Sequence, residues 1–174
     1  MPTDYDKLYQ EQRHVLGKPT QEFVTFFESY DKENADVLDV GCGQGRDALF
    51  IARLGHHVVG TDLAEAGIAQ LLDDAKAEKL NIEGVVADLS TYQPTGEYDV
   101  VVIDRTLHML LDDDVRLGAL ARCCAVAREG GYVLIADEKS NLPAMREFFK
   151  TDGYEWETLM DKKGFLFMQK AQIR

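Results

Sequence analysis

Residues 36–55 read DVLDVGCGQGRDALFIARLG. A run of strand character, Val37-Leu38-Asp39-Val40, enters a turn with glycines at 41, 43 and 45. An Ala/Leu/Ile/Arg-rich helical pattern follows from Arg46 to Leu54. Glycine lets a backbone turn sharply and approach a ligand without a Cβ clash. A helix that starts at Arg46 presents free N–H groups and a partial positive charge to that ligand.

Working outward, apolar runs of strand length alternate with helical patterns. His57–Thr61 precedes a helical pattern over Ala64–Glu78, with apolar residues at Ile68, Leu71, Leu72 and Ala75. Ile82–Ala87 is a third strand. Tyr98–Asp104, YDVVVID, is a fourth, rich in β-branched residues as a strand buried on both faces should be. The pattern predicts a helix over Asp113–Arg128 stopped by Gly130-Gly131, then a strand over Tyr132–Ala136. This alternation with short connections predicts an α/β fold, a doubly wound parallel sheet flanked by helices. A helix near Asn141–Lys150 and strands at Tyr154–Met160 and Phe165–Lys170 complete the chain. The last two, joined by DKKG, predict an antiparallel hairpin. An amphipathic helix around Gln21–Tyr30 precedes everything. With no linker, repeat or low-complexity stretch, the 174 residues are expected to form one domain. Its parts are an N-terminal segment and helix (1–34), a cofactor-binding core (35–138) and a C-terminal helix and hairpin (139–174).

In such a sheet, ligands bind beyond the carboxyl ends of the strands, where the first strand-to-helix turn lies. Nicotinamide dinucleotides, flavins and S-adenosylmethionine all use this arrangement. The spacing here is G-x-G-x-G, and Arg46 stands where G-x-G-x-x-G needs its third glycine, which weakens the dinucleotide reading. The second strand ends in VVGTDL, so Asp62 lies where a carboxylate accepts hydrogen bonds from ribose hydroxyls; capping of the next helix is the alternative. The third ends in VVADLS. Asp88 can accept from an adenine amino group with Leu63 and Leu89 against the ring, or can close a local turn.

The net charge of −12 and the scattered basic residues argue against nucleic acid and favour a small-molecule partner. An acidic surface also serves solubility. Cys42 and the adjacent Cys123-Cys124 suggest reduced thiols in a cytoplasmic protein. No CxxC or HxxxH spacing points to a metal. The polar start MPTDYDKLYQEQRH has no secretory h-region, and no apolar stretch is long enough to span a membrane.

These motifs resemble the class I S-adenosylmethionine-dependent methyltransferases. VLDVGCGQGRDALFIARLG is similar to their glycine-rich first motif, VVGTDLAEAGI to the second, VVADLS to the third, EYDVVVIDRTLHML to the fourth and AREGGYVLIAD to the strand-five motif. The resemblance runs from Asp36 to Asp137. It implies a seven-stranded, mostly parallel sheet with helices on both faces and the last strand inserted antiparallel. It implies that Asp39 and the backbone of Gly41 and Gly43 hold the methionine end of S-adenosylmethionine, with Cys42 and Gly45 also in the cofactor-binding turn. Asp62 would bind its ribose, Asp88 and Leu89 its adenine, and Asp104 would face both cofactor and substrate. The compact chain and Tyr-rich leader look most like the small tellurite-resistance and thiopurine methyltransferase subgroup. There an N-terminal segment folds over the cofactor, which makes Tyr5, Tyr9, Arg13 and His14 lid candidates. In the second motif Ala64 stands where a capping Ser is frequent, leaving the next helix start without its usual cap.

Methyl transfer from a sulfonium is an in-line displacement that asks the protein chiefly for alignment, and a base only for a protonated, weakly acidic nucleophile. Asp104-Arg105-Thr106-Leu107-His108 is the expected substrate floor, with Asp137 and Glu138 in the neighbouring loop. His108 is either a base for a hydroxyl, amine or thiol, or a structural residue. Arg105 either recognises an anion or pairs with one of Asp112–Asp114. The fourth motif lacks the Asn/Asp-Pro-Pro-aromatic signature of nucleic-acid amino-methyltransferases, so a small-molecule acceptor is expected, with S-adenosylhomocysteine as product and a monomer or homodimer as the unit. The competing readings are a nicotinamide-dependent oxidoreductase and a non-catalytic S-adenosylmethionine-binding sensor or partner subunit.

Overall fold

Strand alternates with helix from Asp36 onward in the computed structural model, which describes residues 3–172. The seven strands follow the order β3-β2-β1-β4-β5-β7-β6. The chain divides into two compact units, Met1–Asp88 and Leu89–Arg174.

In the first unit, β1 (Asp36–Val40), β2 (His57–Asp62) and β3 (Ile82–Val86) pair in parallel. Helices α3 (Arg46–Arg53) and α4 (Glu65–Glu78) make the crossovers. β1 is buried from Val37 to Val40, as a strand covered on both faces must be. Leu38, Ile51 and Leu71 fill the interior with Phe23 of α2 (Gln21–Glu28). A short helix, α1 (Tyr5–Glu11), precedes them where the sequence shows only a polar leader. Its seven residues are too few to hold a helix alone, so its stability comes from docking onto α4.

In the second unit, β4 (Tyr98–Asp104) is buried throughout and pairs in parallel with β5 (Ala127–Ala136). The final strand, β7 (Phe165–Lys170), runs antiparallel to both β5 and β6 (Trp156–Lys162), so it is inserted between them. Helix α5 (Asp113–Ala125) starts on Asp112, whose side chain accepts from the Val115 amide at 3.0 Å, with Asp113 and Asp114 in its first turn.

Two expectations are corrected here. Helix α5 ends at Ala125, short of Gly130-Gly131, and β5 begins at Ala127. The stop is supplied by Lys170, whose buried Nζ donates to the carbonyls of Cys124 at 3.2 Å and Ala127 at 3.0 Å. The glycines serve a bulge instead: Tyr98 pairs with Ala127 and Val100 with Tyr132, so residues 128–131 loop out between them. The hairpin turn is also tighter than DKKG, since β6 continues through Lys162 and only Lys163 and Gly164 turn. Both have positive φ, 49° and 91°, as the favoured two-residue hairpin turn demands. Among the described residues no helix is long and apolar enough to cross a membrane.

Lys170 also lies 3.6 Å over the Tyr154 ring, and burial pushes its ammonium below the usual lysine range. Lys170→Met strands two carbonyls at the end of α5. It is expected to cost about 1–3 kcal/mol of stability, read as a midpoint shift in a urea titration.

Candidate functional site

In the first unit the glycine turn is tied to the end of β2. The amides of Gly41 and Cys42 both donate to the Thr61 carbonyl, at 2.7 and 2.9 Å, and Gly45 donates to Cys42 O at 2.8 Å. Gly41, Gly43 and Gly45 all hold positive φ, which accounts for their alternation. Gly45, at φ 87°, opens α3, and a Cβ there would lie 2.3 Å from the Leu71 Cδ1. Asp39 is buried at the mouth of β1. The Cys42 thiol is buried too, and burial pushes it up.

Asp62 joins the turn to the next helix. Its Oδ2 accepts from the Gly43 amide and its Oδ1 from the Ala64 amide, both at 2.8 Å. Burial pushes its carboxyl above the ordinary range, against the pull of the Ala64, Gly43 and Leu63 amides. The Ala87 amide donates to the Asp62 carbonyl, which brings Asp88 to the same strand ends. Asp88 is exposed, and Leu63 and Val86 stay 69% and 47% exposed beside it, leaving apolar surface for a flat ring.

The N-terminal segment closes over this turn through residues that the sequence reading passed over. Asp6 Oδ1 accepts from the Ala66 amide at 2.8 Å, supplying from α1 the first-turn cap that Ala64 cannot provide. Gln44 is buried. Its Oε1 accepts from the Val15 amide at 3.0 Å, and its Nε2 donates to Gln12 O and Gln70 Oε1, both at 2.6 Å. Gln70 Nε2 in turn donates to Tyr9 O at 2.6 Å. Tyr9 is buried against the turn: a Cβ on Gly43 would lie 2.6 Å from its hydroxyl oxygen. Burial first, then the Asp62 carboxylate, push the Tyr9 phenol up, so it stays a neutral donor. Tyr5 packs on Tyr9 with ring centroids 5.8 Å apart. The lid candidates therefore divide. Tyr9 reaches the turn and Tyr5 packs on Tyr9, whereas Arg13 and His14 lie against Asp74 on α4, at 2.7 and 3.4 Å. Nothing in local spacing marks Asp6, Gln44 or Gln70, because each acts on chain at least 26 residues away.

Removing the Asp6 cap tests how α1 is held. Asp6→Ala is expected to cost about 1 kcal/mol at the start of α4. Amides of α1 should then exchange faster in hydrogen-exchange mass spectrometry, while those of β1 and β2 keep their protection.

In the second unit, Asp104 is buried at the end of β4, and its Oδ1 accepts from Arg105 at 2.8 Å. Arg105 itself takes φ 50°, a strained value for a non-glycine residue at a strand end. Its guanidinium thus pairs with Asp104, whereas Asp113 pairs with Arg116. The next residues form a single 3₁₀ turn, Leu107–Met109. That turn is held from two sides. Asp137 Oδ2 accepts from the His108 amide at 3.1 Å, and buried Arg116 donates to the carbonyls of Leu107 at 3.2 Å and Leu110 at 2.6 Å. Asp137 is spent on backbone and on Asn141, since its Oδ1 accepts from the Glu138 amide and Asn141 Nδ2. Glu138 is exposed. The His108 Nδ1 is buried without a hydrogen-bond partner among the described residues. Leu89, at the start of this unit, has its carbonyl fixed by Arg122 at 2.9 Å. Among the described residues no cluster of His, Cys, Asp and Glu has metal-site geometry.

The methyltransferase domain family matches residues 37–131. A relative from Mycobacteroides abscessus, 2-heptyl-1-hydroxyquinolin-4(1H)-one methyltransferase, is 32% identical over 131 residues, 74% of this chain and 57% of its own. The chain thus spans little more than half the length of that curated relative. Among solved structures, a TehB-like SAM-dependent methyltransferase from Corynebacterium glutamicum superposes with a TM-score of 0.74 at 23% identity, covering 98% of this chain and 97% of its own. Magnesium protoporphyrin IX methyltransferase from Synechocystis, solved with bound SAM, superposes with a TM-score of 0.72 at 14% identity, over 99% of each chain. These likenesses give the seven-stranded, mostly parallel fold. With the family match across the glycine turn, β2, β3 and β4, they make this chain a member of the methyltransferase domain family.

Proposed function

We propose that the protein is an S-adenosylmethionine-dependent methyltransferase acting on a small-molecule acceptor and releasing S-adenosylhomocysteine. One observation carries the reading: Asp62 sits half-buried between the Gly43 amide and the start of α4, with exposed Leu63 and Val86 beside it. That is a place for a ribose diol next to a flat base. The residues fit the cofactor in charge as well. Asp39, Asp62 and Asp6 set negative groups around the turn, which favour a sulfonium and an ammonium and disfavour the pyrophosphate of a nicotinamide dinucleotide. In this reading the Gly41–Gly45 backbone and Asp39 receive the methionine end, Asp62 the ribose, and Asp88 with Leu63 and Leu89 the adenine. Tyr9 covers the turn and excludes water.

The bound cofactor supplies a methyl group already activated by positive charge. The chain's part is to bring a nucleophile into line at about 3–3.5 Å, which can contribute roughly 7–11 kcal/mol. Asp104 to His108 is the acceptor segment. His108, on the turn that follows Asp104, is the candidate base for a hydroxyl, amine or thiol acceptor. The M. abscessus relative suggests the first acceptor class to try, a hydroxyl on a small heteroaromatic ring. No nucleic acid takes part, and the unit is a monomer or homodimer in the cytoplasm.

Calorimetric titration with S-adenosylmethionine, S-adenosylhomocysteine and NAD tests the cofactor. Binding of NAD alone would sink the reading in favour of an oxidoreductase. Release of S-adenosylhomocysteine with hydroxyl, thiol, amine or metalloid acceptors tests the activity. Tight cofactor binding with no release from any acceptor points to the sensor instead.

A further inference from the structure

The glycine turn spends most of its amides on the protein itself. Those of Gly41 and Cys42 go to Thr61 O, that of Gly43 to Asp62 and that of Gly45 to Cys42 O. A carboxylate brought to this turn therefore meets few backbone donors, although its two oxygens offer about four lone-pair positions. Buried Asp39 and half-buried Asp62 make an unanswered negative charge there costly. A ligand that carries a carboxylate to this place needs a donor from outside the turn.

Tyr9 brings one. Its ring stands in a slot between two glycines. A Cβ on Gly43 would lie 2.6 Å from the hydroxyl oxygen, and a Cβ on Gly67, in the first turn of α4, would lie 2.9 Å from the ring Cδ2. The backbone behind the ring is fixed by Gln70, which donates to Tyr9 O, and by Asp6 on the Ala66 amide. Tyr9 is 3% exposed, yet no protein group among the described residues hydrogen-bonds its hydroxyl. A buried tyrosine hydroxyl ordinarily has a partner, and this one is aimed at the turn with its proton retained.

We propose that the Tyr9 hydroxyl donates a hydrogen bond to the carboxylate at the amino-acid end of the cofactor. The N-terminal segment then selects for that carboxylate as well as covering the turn. This rests on the reading of S-adenosylmethionine as the ligand; Asp39 meets the ammonium of the same end and Tyr9 the carboxylate.

The test compares S-adenosylmethionine with decarboxylated S-adenosylmethionine, which lacks only the carboxylate, by calorimetric titration of the full chain. The acidic surroundings alone favour the decarboxylated compound, so a wild-type preference for S-adenosylmethionine requires a donor. Tyr9→Phe keeps the ring in its slot and removes a hydroxyl that no described protein group uses, so the variant should keep the urea midpoint of wild type. It should bind S-adenosylmethionine at least tenfold more weakly and the decarboxylated compound within about threefold of wild type. Equal losses for the two compounds would mean that the hydroxyl serves the docking of α1, which overturns the assignment. Unchanged affinity of Tyr9→Phe for S-adenosylmethionine, or a wild type that prefers the decarboxylated compound, also overturns it and leaves the methyltransferase reading standing. A wild type that binds neither compound overturns both.

Discussion

Asp62→Ala is expected to weaken S-adenosylmethionine binding at least tenfold, about 1.4 kcal/mol or more, in a calorimetric titration. The carboxylate does two jobs. It would meet the ribose, and it already ties Gly43 to Ala64 through two 2.8 Å hydrogen bonds. Its loss leaves two amides unsatisfied, at about 1–3 kcal/mol each where water cannot replace it, so the ligand-free variant should also melt earlier. Affinity equal to wild type would mean that the carboxylate does not meet the ribose. Proton linkage gives an independent signature. Burial holds this carboxyl above its unfolded value, so the protonated form favours the fold. That contribution is complete below the unfolded value of about 4 and is lost as pH rises through the folded one. Wild type should therefore lose stability relative to Asp62→Asn across that acid window, read by thermal melts from pH 3.5 to 7.

The second large effect is expected at Gly45, and a paired measurement separates its causes. Gly45 and Gly55 share left-handed backbone, φ 87° and 95°. An added Cβ at Gly55 meets nothing within 4 Å, whereas at Gly45 it meets Leu71 Cδ1 at 2.3 Å. Gly55→Ala should cost only the backbone term, about 1–2 kcal/mol. Gly45→Ala adds overpacking against a fully buried leucine, for a total of about 2–5 kcal/mol. The midpoint of urea unfolding measures both, and equal losses would remove the packing argument. Because Gly45 opens α3, the variant should bind cofactor poorly even at temperatures where it stays folded.

What the sequence disclosed and what it withheld follow one physical division. The alternating strands and helices are legible because burial imposes its period locally, and Val37–Val40 or Tyr98–Asp104 carries that pattern in its own residues. The same alternation predicted the parallel pairing, and the resemblance of the ordered motifs implied the inserted last strand. Features made by distant contacts were not legible. Helix α5 ends where Lys170 reaches it from 46 residues away, not at the glycines that a local rule selects. The helix at Tyr5–Glu11 is too short to announce itself, and the cap that Ala64 lacks arrives from Asp6, 60 residues earlier. In the candidate site the acidic residues on strand ends were readable because topology alone carries them to the rim. Gln44 and Gln70 were not, since an amide in a helix or turn has no fixed partner until the fold supplies one.

That pair of glutamines has a direction. The Val15 amide gives to Gln44, Gln44 gives to Gln70, and Gln70 gives to the Tyr9 carbonyl, every member receiving on oxygen and giving on nitrogen. Only a carboxamide can both receive and give in this way, so glutamate at either place would set oxygen against oxygen. The Gln12 and Tyr9 carbonyls that such a carboxylate would face belong to the backbone, so no substitution elsewhere can answer it, and the grip of the leader on the glycine turn rests on two amide side chains.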